Sequence, residues 1–173
     1  MSPPGRKPRH ALSNVVPLAP VHKTGAFACG DNEIDVFLRE RAAAEQALRL
    51  SQVYVTVDQD GEIAAYFTLS PITVRIEPGL LAHIGVHTAP YPVIGGFLLG
   101  RLGVHRPLQG AGIGEAIVMR AAQIAKYESE VVGGAFLAVD PKTDRLAQWY
   151  ARQDFVALGA KSRRMVLPFR SVP

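Results

Sequence analysis

The stretch Gln109-Gly110-Ala111-Gly112-Ile113-Gly114 is the part of this chain best suited to bind a charged ligand. Glycines leave the backbone uncovered, so a ligand can approach main-chain N–H groups without side-chain obstruction. If a helix opens inside the run, the first-turn N–H groups have no intrahelical partner. The helix dipole adds roughly half a positive charge there, and the combination suits a phosphate. The flanking residues supply that arrangement. Before the run, Gly96-Phe97-Leu98-Leu99-Gly100-Arg101-Leu102-Gly103-Val104 reads as a buried strand. After it, Ile113, Ile117, Val118, Ala121, Ile124 and Ala125 recur at helical spacing.

The spacing separates the kinds of phosphate loop. No G-K-[ST] follows, which excludes a nucleoside-triphosphate P-loop, and a dinucleotide fingerprint belongs near the start of a βαβ unit. Taken alone, the hexapeptide is also compatible with a glycine-rich turn that binds nothing. Its pattern, Q-x-x-G-x-G after a strand, resembles the acyl-CoA loop of the GCN5-related N-acetyltransferases (GNAT). The following residues extend the resemblance. Val131-Val132-Gly133-Gly134-Ala135-Phe136-Leu137-Ala138-Val139 reads as a second buried strand. A short helix from Asp144 then carries Leu146, Ala147 and the pair Trp149-Tyr150 ahead of Gln153-Asp154-Phe155. The family has the same order, with an aromatic-tyrosine pair and then a glycine where this chain has Asp154. The match spans residues 97 to 156.

A narrower resemblance covers the remainder. Phe27-Ala28-Cys29-Gly30, then Ile34, Phe37 and Leu38; Tyr66-Phe67-Thr68-Leu69-Ser70; Tyr91-Pro92-Val93; and Leu99 to Val104 are similar to the acetyltransferase toxins of bacterial toxin–antitoxin pairs. That resemblance implies acetylation of the amino group of aminoacyl-tRNA and a block of translation. It also implies a homodimer and an antitoxin with a ribbon-helix-helix domain, the pair binding operator DNA. An acetyltransferase of a small-molecule amine or a protein N-terminus is the first alternative, and a non-catalytic CoA-binding domain the second.

For the site, the family implies acetyl-CoA with its pyrophosphate on the backbone of Gln109, Gly110, Ala111, Gly112, Ile113 and Gly114. Pantetheine is expected along Leu102, Gly103 and Val104, with a backbone N–H at or beside Val104 as oxyanion donor. Tyr150 corresponds to the tyrosine assigned as general acid on the leaving sulfur. Ala111 stands where Arg or Lys is usual, and Arg106 is the candidate substitute. No carboxylate in this half presents itself as a base; His105 is a weak candidate. An α-amino group titrates near 7.7–8.0 and an aminoacyl ester lower still, whereas a lysine near 10.4 needs far more help. The absence of a base therefore favours an α-amine acceptor. No metal is expected.

Composition sets bounds. At 173 residues one domain is expected. No apolar run reaches the ~20 residues of a membrane span, and the basic, Pro-rich start lacks a signal-peptide core, so a cytoplasmic protein is expected. The single cysteine, Cys29, fits a reducing compartment and reads as a packing residue. Residues 1–30 and 161–173 each carry +4, whereas 31–160 carries −4. Basic ends suit either an anionic partner or solvated tails. The RNA-contact candidates are Arg75, Arg101, Arg106, Arg163 and Arg164.

The elements that must position these groups are legible in outline. Residues 1–20 read as a flexible basic arm and 21–173 as one domain. A helix is expected over 31–48, capped by Asp31 or Asn32. A hairpin turning at Asp58–Gly61 should join strands 53–57 and 63–70. Residues 71–95 read as loop-rich, with room for one short strand or helical turn, and a last strand covers 164–169. The fold class is α/β: a mixed central sheet, antiparallel early and parallel around the cofactor, with helices on both faces.

Overall fold

The computed structural model describes residues 13–87 and 91–173. Seven strands form one sheet in the order β1-β2-β3-β4-β5-β7-β6. They are β1 (Val16–Pro17), β2 (Gln52–Val57), β3 (Ile63–Arg75), β4 (Val93–Val104), β5 (Phe136–Val139), β6 (Val156–Ala157) and β7 (Met165–Pro168). Every strand pair is antiparallel except β4–β5. The helices are α1 (Asn32–Val36), a π turn (Phe37–Arg41), α2 (Ala42–Ala47), α3 (Pro78–Leu81), α4 (Ile113–Val132) and α5 (Asp144–Ala151). The mixed sheet with helices on both faces is the fold class the sequence predicts.

Period-two alternation along the strands feeds both faces of the sheet. Phe67, Leu69, Leu137 and Val139 point to one side, where Ile117, Val118, Ala121 and Ala125 of α4 and Tyr150 of α5 complete the core. Tyr66, Val53 and Val55 point to the other side, against Ile34, Phe37, Leu38 and Ala42. Asp31 caps α1 as the sequence suggests, its carboxylate accepting from the Glu33 and Ile34 N–H groups. The expected single helix 31–48 is interrupted, because the Ala42 N–H bonds to the Phe37 carbonyl five residues back. That spacing lets Phe37, Leu38 and Ala42 all enter the core.

Two expectations are corrected. The second buried strand does not begin at Val131: α4 runs on to Val132, and Val131 and Val132 are exposed. Gly133 and Gly134 take φ of 85° and 130°, ending the helix as glycines do, so β5 starts only at Phe136. Residues 71–95 are also more regular than expected. Their ends extend a long β3–β4 hairpin to Arg75↔Val93, and a helical turn lies between. Pro71 is tolerated within β3 because β2 pairs no further than Leu69, leaving that half of the strand open on one side. Residues 1–12 of the expected arm lie outside the described residues. In 13–20, β1 pairs with β2 and Leu18 is buried.

Candidate active site

β4 and β5 are bonded only at Phe97↔Leu137 and Leu98↔Ala138. Immediately beyond, the register of β3 with β4 shifts, so that Gly100 has no opposite residue. The Thr68 hydroxyl fills the gap, accepting from the Arg101 N–H at 3.0 Å. A bulge bends the strand that carries it, and from this one onward β4 borders a cleft of about 720 Å³ instead of its neighbour.

Strand alternation fixes which backbone groups face that cleft. The His105 N–H donates to the Ala64 carbonyl at 2.8 Å, so His105 and Gly103 turn their backbone toward β3. Leu102 and Val104 turn theirs the other way, into the opening. All of Leu102, Gly103 and Val104 border the cleft. The chain then makes a 3₁₀ turn, Arg106–Leu108, and enters the glycine loop. Gly110 and Gly112 have φ of 79° and 80°, a left-handed conformation that glycine adopts without cost, and Gly112 caps α4. Gln109, Gly110, Gly112 and Gly114 border the cleft. Ala111 is exposed outside it and Ile113 packs toward the core, so of these two neither side chain lines the opening.

Gln109 is a clamp. Its Nε2 donates to the Cys29 carbonyl at 2.7 Å and to the Val104 carbonyl at 2.8 Å, joining the loop to the end of β4 and to residues 27–30. Trp149 of α5 closes the other side, lying within 3.2 Å of where a Gly114 Cβ would stand and donating from Nε1 to Glu115 at 3.0 Å. Tyr150 follows it into the cleft wall. Its ring meets Trp149 and Phe155 edge-on, at 4.9 and 5.2 Å between centroids. Burial pushes its phenol up to about 12.

Three carboxylates border the cleft and each is engaged. Asp31 caps α1 and faces Lys142, Glu115 holds Trp149, and Asp140 receives both arms of Arg164 at 2.7 and 2.8 Å. His105 accepts the Ala28 N–H on Nδ1 at 3.2 Å and does not border the cleft. The structure thus brings together the glycine loop, the β4 edge and Tyr150 around one opening, and among the described residues no uncommitted carboxylate borders it.

The basic candidates do not converge. Arg75 is exposed opposite Val93, eleven residues along β4 from Val104, or roughly 35 Å at strand rise. Arg101 borders the cleft with its guanidinium 3.8 Å from the Phe37 ring centroid. Arg106 lies against Gly30, outside the cleft. Arg163 and Arg164 pair with Asp144 and Asp140. Cations that the sequence reading missed border the opening instead: Lys142, Arg145 and Arg152. Arg145, Trp149 and Arg152 fall at i, i+4 and i+7 on one face of α5, a signal that was present in the spacing.

Cys29 also borders the cleft. Burial, followed by the neighbouring Asp35 carboxylate, pushes its thiol up to about 11, so at neutral pH it is almost wholly protonated. Cys29→Ala is therefore expected to retain turnover within about twofold, and the wild-type thiol to react with iodoacetamide well below the rate of a free thiol. Rapid alkylation at pH 7.5, or a tenfold loss of turnover in Cys29→Ala, would contradict this.

Comparison with known proteins gives a consistent result. The acetyltransferase (GNAT) family model matches residues 28–155. A tRNA-acetylating toxin of Mycobacterium tuberculosis (strain H37Rv) is 28% identical over 137 residues, covering 75% of this chain and 76% of that protein. The fold resembles AtaT complexed with acetyl-methionyl-tRNAfMet, with a TM-score of 0.84 at 22% identity over 94% of this chain and 97% of that one. It also resembles an AtaT variant bound to the C-terminus of the antitoxin AtaR and acetyl-CoA, with a TM-score of 0.77 at 20% identity over 93% and 95%. With the family model covering the splayed β4–β5 pair, the glycine loop and Tyr150 together, this chain belongs to the GNAT acetyltransferase family.

Proposed function

We propose that this chain is an acetyl-CoA-dependent N-acetyltransferase toxin acting on the amino group of aminoacyl-tRNA. The observation that carries the reading is the opening of β4 away from β5 beside the glycine loop, with Tyr150 in its wall. The similarity to a tRNA-acetylating toxin points to the acceptor.

Acetyl-CoA fits the cleft as a substrate. Its pyrophosphate meets the free N–H groups at the α4 N-terminus, where Gly110 and Gly112 leave nothing within 4 Å of a Cβ position. Pantetheine pairs with the outward backbone of Leu102 and runs along the edge toward Val104. The Val104 N–H is the oxyanion donor; its carbonyl is already held by Gln109. The acceptor amine attacks the thioester carbonyl, the C–N bond forms, the C–S bond breaks and the amine proton passes to water. Tyr150 acts on the sulfur. A thiol titrates near 8.5 against about 12 for this phenol, so full proton transfer to the thiolate is uphill by ~3.5 units, roughly 5 kcal/mol. Tyr150 therefore stabilises the developing thiolate chiefly as a hydrogen-bond donor.

With every cleft carboxylate engaged, the amine must arrive neutral. At pH 7 about one α-amine in six is neutral at a pKa near 7.7, against about one lysine in 2,500 at 10.4. The α-amine of an aminoacyl ester suits such a site. Arg106, Arg145 and Arg152 are exposed and without an acidic partner among the described residues, and they supply RNA contacts. The chain works in the cytoplasm as a homodimer, held by an antitoxin with a ribbon-helix-helix domain, and the pair binds operator DNA. The AtaT variant bound to an antitoxin C-terminus supports that partner.

The test is incubation with labelled acetyl-CoA and total charged tRNA, followed by identification of the acetylated aminoacyl species. Charged tRNA is expected to be acetylated and free amino acids not. Each phosphate neutralised by Lys or Arg releases counterions, so several contacts cost orders of magnitude in affinity between about 50 and 200 mM salt. Equal acetylation of free amino acids or a polyamine, or indifference to salt, would overturn the acceptor assignment.

A further inference from the structure

Asp35 is a buried carboxylate that the acetyl transfer does not use. Its Oδ1 accepts the Cys29 N–H at 2.8 Å. Burial raises its pKa, but the N–H and thiol of Cys29, the Gly30 N–H and nearby Arg39 outweigh burial and hold the carboxyl below its usual range. Arg39 also donates to the Phe27 carbonyl at 3.1 Å, so the segment 27–30 is anchored from the α1 side at both of its ends. From the other side the same segment is bonded to the approach to the glycine loop. The Arg106 N–H donates to the Ala28 carbonyl at 2.8 Å, the Ala28 N–H donates to His105, and Gln109 donates to the Cys29 carbonyl. One continuous path results: Asp35 to the Cys29 main chain, to the Gln109 side chain, to the Val104 carbonyl on the cleft edge.

We propose that Asp35 is a positioning residue for the acyl-donor loop, acting through the Cys29 main chain on Gln109. Residues 27–30 have no regular secondary structure to hold them; the Phe27 ring is buried in the core, and beyond it residues 28–30 are held by hydrogen bonds and follow what anchors them. Asp35 sets where the Cys29 carbonyl stands, and that carbonyl shares the Gln109 amide with Val104. Losing the anchor releases Gln109 and blurs the glycine loop without removing any group that touches the ligand. The inference rests on the acetyl-CoA reading of the cleft.

The test is a double-mutant cycle read by calorimetric binding of acetyl-CoA to the full chain, with Asp35→Asn and Gln109→Met as the two changes. If the wild type fails to bind acetyl-CoA, the cofactor reading falls and the relay falls with it. If it binds, each single change is expected to weaken binding about tenfold. The double variant should be little worse than either single, because residues in one network are not additive. In turnover assays of Asp35→Asn, KM for acetyl-CoA should rise while kcat at saturation stays within about twofold. Independent tenfold losses that multiply, or unchanged affinity in a folded Asp35→Asn, would overturn the relay. Should Asp35→Asn fail to fold, amide exchange decides. Acetyl-CoA should slow exchange of residues 28–30 in the wild type and not in Gln109→Met, and equal slowing in both overturns the proposal.

Discussion

Tyr150→Phe is expected to lower kcat by roughly two to three orders of magnitude while leaving the acetyl-CoA Kd within about twofold. The deleted hydroxyl is the donor proposed for the leaving sulfur, and losing one donor to a developing anion typically costs 10²–10³ in rate. The charge on sulfur grows only as the C–S bond breaks, so ground-state binding is spared. The ring itself stays packed against Trp149 and Phe155, and the fold should be retained. With the phenol at about 12, Tyr150 stays protonated to at least pH 10. The rate should therefore climb as the acceptor amine deprotonates and then stay level, with no alkaline fall from this residue below pH 10. A Tyr150→Phe protein with wild-type kcat in single-turnover measurements would remove the residue from the mechanism.

Gly112→Glu is expected to weaken acetyl-CoA binding at least a hundredfold. The site has open space, with nothing within 4 Å of a Cβ there, so the protein itself does not reject the side chain. Left-handed φ costs a non-glycine residue roughly 1–2 kcal/mol. The larger effect falls on the ligand, because the new carboxylate finds the α4 N-terminus as favourable as a phosphate does and takes its place. Gly112→Ala carries the strain without the charge and should lose much less affinity. Calorimetry on both variants separates the two causes, and unchanged affinity in folded Gly112→Glu would mean that phosphate binds elsewhere.

Local chemistry made much of this protein legible in its sequence. The glycine loop, the amphipathic α4, the Asp31 cap and the Trp149-Tyr150 helix each depend on residues within a few positions of one another, and each stands where spacing predicts. The errors fell where one local signal competed with another. Val131 and Val132 have strand propensity, yet two glycines with positive φ close the helix after them. Pro71 reads as a loop residue, yet β2 stops short and leaves β3 free to tolerate it.

The tertiary structure alone decided which charges are available. Arg163 and Arg164 stand in a basic run but meet Asp144 and Asp140, some twenty residues away in sequence, and so are spent on the protein's own acids. Asp31 and Lys142 face each other across a sequence separation of 111. The splay of β4 from β5 follows from a bulge at Gly100, whose register depends on a partner strand. Gln109 reads in sequence as part of a ligand loop, and only the fold places its amide between the carbonyls of Cys29 and Val104. Hydrogen bonds and ion pairs are short-ranged, so their partners are set by which elements fold together, and a one-dimensional pattern does not encode that distance.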